Sequence, residues 1–134
     1  MDSLIAAILS VPYLGRWTNL NEALFLTRTE VFGPDRGSRP GALKATIILT
    51  DGADNVPSRG TPLTLENAEL CKDDDIWLIT VGVTEGVDER RLKEIASSTS
   101  DYYSVYDFNA LTNIVDDLKS QICPTGPVLT PSEC

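Results

Sequence analysis

The chain contains no histidine. That absence excludes Ser-His-Asp and Cys-His nucleophilic catalysis, and zinc held by imidazole. Cysteine is sparse, with Cys71, Cys123 and Cys134 alone, and no Cys-x-x-Cys spacing that would build a zinc ribbon. An odd count in a secreted protein points to a missing partner or an intermolecular bond, but the count by itself leaves the compartment open. Positive charge is also short: 11 Lys and Arg face 20 Asp and Glu, a net charge of -9. Nucleic acid and anionic membrane surfaces need basic patches, so neither is an expected partner. No apolar run approaches the roughly 18 residues of a membrane span. The short apolar stretch at Leu4 to Leu9 follows Asp2 rather than a basic segment, and it reads as a helix, not a signal peptide. There is no Asn-x-Ser/Thr glycan acceptor and no glycine-rich phosphate loop of either common spacing.

What is present describes one globular domain. The 134 residues are 42% hydrophobic and 23% charged. Leu4, Ile5, Ile8 and Leu9 recur at helical spacing, and Pro12 ends that helix near Val11. A second helix begins near 18–21, with Asn19 and Glu22 as a cap pair and Leu20, Ala23, Leu24, Thr27 and Val31 as its apolar face. A glycine- and proline-rich connection fills 33–41. A short helix is expected over 64–72, with Leu65, Ala68 and Cys71 on one face. Residues 76–83 read as a strand. Asp88 caps the next helix, whose inner face is Leu92, Ile95 and Ala96, with Val87 and Leu92 as a hydrophobic staple. Residues 102–106 form a third strand, and 110–122 a last helix with Leu111, Ile114, Val115, Leu118 and Ile122 inward. Helices and strands alternate, which predicts a parallel sheet with right-handed crossovers. The segment from Pro124 to Cys134 reads as a linker or the start of a further module, leaving 1–122 as the domain.

The most informative stretch is Ala45-Thr46-Ile47-Ile48-Leu49-Thr50-Asp51-Gly52. A continuous apolar run suits a parallel strand covered on both faces. Asp51 follows its end, and open α/β sheets bind ligands beyond the carboxyl ends of their strands.

Four segments now resemble one family. Gly15-Arg16-Trp17-Thr18-Asn19 followed by Asn21-Glu22-Ala23-Leu24 is similar to the G-x-T-N-T-x-x-A-L segment of von Willebrand factor type A domains. Arg39-Pro40-Gly41 and the strand to Asp51-Gly52 resemble their R-P-G and I-V-L-T-D-G segments. Trp77 to Val83 resembles the next strand, and Leu92-Lys93-Glu94-Ile95-Ala96-Ser97 their L-x-x-I-A-S. The order and spacing match from about Leu4 to Ile122, with matrilin-like and collagen-type domains nearest in flavour.

The resemblance implies a Rossmann-like, three-layer α/β/α fold and a metal-ion-dependent adhesion site. In the family that site takes an Asp-x-Ser-x-Ser motif, a threonine and a later aspartate; Thr18 and Asp51 match the last two. The Asp-x-Ser-x-Ser motif does not occur here, and Leu20 replaces the second threonine. Aligned to the family, the chain holds a partial parallel sheet lacking the first three strands. The expected cofactor is Mg²⁺, held weakly or not at all, because a hard cation wants about six oxygens and two are supplied. The strand before Asp51, without its neighbour, is expected to have its apolar edge and both covering faces partly bare. The chain reads as a fragment of a longer protein, a short isoform, or a half-domain completed by another chain.

The function implied is non-enzymatic adhesion in the secreted, extracellular space, with matrix or cell-surface proteins as partners, collagen-like ones included, and an intermolecular disulfide through Cys123 or Cys134. The alternatives are an intracellular type A domain serving complex assembly, and a phosphate- or nucleotide-handling α/β domain. Residue by residue, plainer roles stand beside these. Asp51 can cap a turn, and Thr18 can cap a helix. Asp54 and Asn55 suit a solvated loop, and Asp73-Asp74-Asp75 a helix-to-strand turn, since the glycine and glutamate of a calcium loop are missing. Trp17 is either a binding hot spot or loop packing. Cys71 belongs in the core.

Overall fold

The computed structural model describes residues 2–13, 15, 17–38, 41–52 and 61–122. Among these residues five α-helices and three strands run in order: α1 (Asp2–Leu9), α2 (Leu20–Leu26), β1 (Lys44–Thr50), α3 (Thr61–Asp73), β2 (Ile76–Val83), α4 (Glu89–Ile95), β3 (Tyr102–Val105) and α5 (Val115–Ile122). The strands form one parallel sheet in the order β1-β2-β3, with Lys44 opposite Ile76 and Val83 opposite Val105. No helix among the described residues is long and apolar enough to cross a membrane.

The central strand explains the layering. β2 is apolar except for Thr80, whose buried hydroxyl donates to Leu92 O at 3.0 Å, and both of its faces are covered. Ile76 and Leu78 pack with Leu20, Leu24, Ala68, Cys71, Leu92 and Ile95 on one side. Val81 and Val83 pack with Val105, Ala110, Leu111 and Ile114 on the other. Gly82 lies on the first side, and a methyl group there would sit 2.9 Å from Val87 Cγ2 and 3.2 Å from Leu92 Cδ1. The strand is bare of a side chain at this point so that α4 can approach.

The local signals account for most boundaries. Asn19 caps α2 by accepting from Glu22 N–H at 3.0 Å, and Asp88 caps α4 by accepting from Arg91 N–H at 3.1 Å. Val87 and Leu92 both join the core as the staple requires. β1 is not covered on both faces as its apolar run alone suggests, but is partly bare, as expected of this strand without its neighbour. Ile48 packs on the core, but Ile47 and Leu49, on the opposite face, are 46% and 50% exposed. The apolar stripe of α1, Leu4, Ile5, Ile8 and Leu9, is exposed as well.

Two helical expectations are corrected. The second helix does not keep its register to Val31: Thr27–Val31 is a π-turn, which takes one extra residue per turn. Leu20 and Leu24 stay buried, Ala23 and Val31 turn outward, and Phe32 packs inward in place of Val31. The last helix is not continuous over 110–122. Asp107 accepts from Ala110 N–H at 2.9 Å and opens a 3₁₀ turn over Phe108–Ile114, with α5 following. Spacing of three aligns Leu111 with Ile114 toward β3, and Val115 is left exposed.

Candidate functional site

The strand ends build the site region. Register sets Thr50 beside Gly82 and Val83 beside Val105, so the chain leaves all three strands along one edge. Asp51 is the first residue beyond β1. It is exposed, and its carboxylate makes no hydrogen bond to any described residue. The turn there is held instead by Thr50: its hydroxyl donates to Gly52 O at 3.0 Å and accepts from Gly52 N–H at 3.4 Å. The turn-capping role open to Asp51 is thus carried by its neighbour.

The opposite edge of the sheet orients the second candidate. Lys44 Nζ donates to Asp74 O at 3.0 Å, and Arg28 Nη1 meets the Asp74 carboxylate at 3.3 Å, both at the amino ends of β1 and β2. The far end of the α2 segment therefore lies at that edge. Its start, with half-buried Thr18 immediately before the cap, is directed back toward the carboxyl ends. Asn67 Nδ2 donates to Asn21 Oδ1 at 2.6 Å and ties this start to α3. The cap is Asn19, not Thr18. The α2 segment thus starts toward the end of the sheet at which Asp51 leaves β1.

Aromatic groups accompany them. Trp17 is 68% exposed, which does not fit loop packing, and Tyr106, just past β3, is exposed too. The acidic run behaves as a turn: Asp73 ends α3, and Asp75 takes a left-handed conformation at φ 57°. Asp54 and Asn55 lie outside the described residues. Cys71 is fully buried, its thiol donating to Leu24 O at 3.5 Å, and burial pushes its pKa up.

One participant was not legible. Thr84, immediately after β2, has φ 72°, and its hydroxyl donates to Asp51 O at 3.4 Å. A β-branched residue is rarely found there, and no spacing rule announces it.

The donors on this edge are hard oxygens, the type that Mg²⁺, Mn²⁺ or Ca²⁺ takes. Their number is small. Among the described residues no group of three or more His, Cys, Asp or Glu is arranged to hold a metal ion.

The fold and the site edge define a type A domain. The family model for the von Willebrand factor type A domain matches residues 1–117, and the chain belongs to that family. It is 37% identical over 123 residues to the collagen alpha-1(XII) chain of Notophthalmus viridescens, covering 90% of this chain and 12% of that one. It is 32% identical over 120 residues to matrilin-1 of Mus musculus, covering 88% and 23%. The chain thus spans less than a quarter of the length of these curated relatives. Proximal thread matrix protein 1 from the mussel byssus superposes with a TM-score of 0.77 at 28% identity, over 91% of this chain and 29% of that one. A form of the same protein with a zinc-occupied adhesion-site motif gives 0.77 at 27%. Manganese-loaded TRAP protein of Plasmodium vivax shares the fold alone, at TM-score 0.58 and 19% identity. The chain stands with the A domains of secreted extracellular-matrix proteins.

Proposed function

We propose that this chain acts in adhesion by binding, not catalysis, and that its carboxyl crest is the contact surface. Asp51 supplies a carboxylate oxygen and Thr18 a hydroxyl oxygen toward a divalent cation, with Mg²⁺ the expected ion. A carboxylate of an extracellular matrix or cell-surface partner, collagen-like proteins included, would complete the ion's sphere. The observation that supports this reading is the Asp51 side chain: exposed, beyond the end of a parallel strand, and not engaged by any described residue. Trp17 and Tyr106 add exposed aromatic surface of the kind enriched at binding hot spots. Cys71 is buried, so an intermolecular disulfide would fall to Cys123 or Cys134, both outside the described residues.

Two protein oxygens are few for a cation that takes about six, so affinity is expected on the order of 10⁻³ M. Mg²⁺ titration followed by amide shifts of Asp51 and Gly52 tests this. Asp51→Ala should abolish the response with the fold intact. Micromolar affinity, or a response that survives Asp51→Ala, contradicts the assignment.

A further inference from the structure

We infer that Thr84 is a positioning residue for Asp51, holding the main chain from which that carboxylate projects. The inference rests on Asp51 acting as a cation ligand. Thr84 connects all three strand ends. Its N–H donates to Val105 O at 2.9 Å, at the end of β3. Its hydroxyl donates to Asp51 O at 3.4 Å, beyond the end of β1, and accepts from Gly86 N–H at 3.3 Å. Thr84 itself immediately follows β2.

The conformation shows that this arrangement is imposed. At φ 72° the Thr84 side chain crowds its own backbone, where glycine or asparagine would sit with little strain. Such a residue persists only where its surroundings over-determine it. Here the surroundings are the three hydrogen bonds just named. Gly86 adds a second constraint on the same atom: a Cβ there would lie 3.1 Å from Asp51 O and 3.6 Å from Thr84 Oγ1. The loop after β2 therefore passes close against the Asp51 carbonyl, and only a residue without a side chain fits without displacement. Thr50 and Gly52 hold Asp51 within its own turn. Thr84 is the side chain that ties it to the next strand. With its main chain held on both sides, Asp51 needs less backbone ordering when a ligand arrives, which lowers the cost of binding.

Thr84→Val keeps the branched shape and loses the hydroxyl; Thr84→Ser keeps the hydroxyl. In Thr84→Val the ¹⁵N order parameters of Asp51 and Gly52 are expected to fall from about 0.85 to below about 0.6, with β2 unchanged. Mg²⁺ affinity, read by the same amides, is expected to fall several-fold, and Thr84→Ser restores both. Should Thr84→Val not fold, Thr84→Gly removes the same hydroxyl without strain and is read in the same way. Unchanged order at Asp51 and Gly52 on loss of the hydroxyl, or no restoration by serine, overturns the inference. A wild-type chain that ignores Mg²⁺ removes Asp51 as a ligand, while the order parameters still decide what Thr84 does.

Discussion

The Cys71 thiol donates to the carbonyl oxygen of Leu24 at 3.5 Å, joining α3 to α2 in the centre of the larger core. Burial raises the thiol pKa above its ordinary value; the Arg28 charge opposes that rise and the Asp74 charge adds to it. The neutral thiol is therefore the form the fold favours. Its contribution to stability is present below the ordinary thiol pKa and is lost as pH climbs through the raised one. Two outcomes are expected. Iodoacetamide should leave Cys71 unmodified in the native chain at pH 8 and modify it in urea, as peptide mass mapping would show. The urea midpoint should fall as pH is taken above 9; a flat profile there would show that the thiol is not buried as described.

Gly82 faces Val87 and Leu92 at distances that leave no room for a methyl group. Gly82→Ala should push α4 away from the sheet and lower stability by about 1–3 kcal/mol, the usual range for overpacking. Urea denaturation measures it. A change below about 0.5 kcal/mol would mean that α4 shifts at little cost.

The caps of α2 and α4 rest on single side chains, Asn19 and Asp88. Replacing either by alanine should cost about 1 kcal/mol, and replacing it by glycine only a few tenths. Equal losses for alanine and glycine would show that the helix starts are held by packing instead.

β1 has no partner strand on its outer edge among the described residues, and Ile47 and Leu49 face outward. Ile47→Lys should reduce self-association, because a charge on an apolar edge opposes strand pairing. Stability should change by less than about 1 kcal/mol, since Ile47 is half-exposed. Light scattering against concentration, with thermal unfolding of both forms, checks this. Undiminished association would place the contact elsewhere, with the exposed stripe of α1 the next segment to alter.

Much of this molecule was determined by residues acting on their immediate neighbours. The β2 run from Ile76 to Val83 could be read as a strand, because a short, nearly continuous apolar segment rich in β-branched residues lies between turn residues. Asp88 with Val87 and Leu92 announced the start of α4, since capping and stapling operate within a single turn. Asp51 at a strand end could be picked out for the same reason: strand, carboxylate and glycine are contiguous. What only the tertiary structure decided involves segments far apart in the chain or a small change of helical pitch. The π-turn at Thr27–Val31 exchanges Val31 for Phe32, and the 3₁₀ turn at Phe108–Ile114 redirects the last helix; each depends on what the segment packs against. The bare face of Ile47 and Leu49 depends on which helices reach across the sheet. Thr84 depends on the ends of all three strands meeting along one edge, where bonds to Asp51, Gly86 and Val105 hold a conformation the residue does not favour on its own.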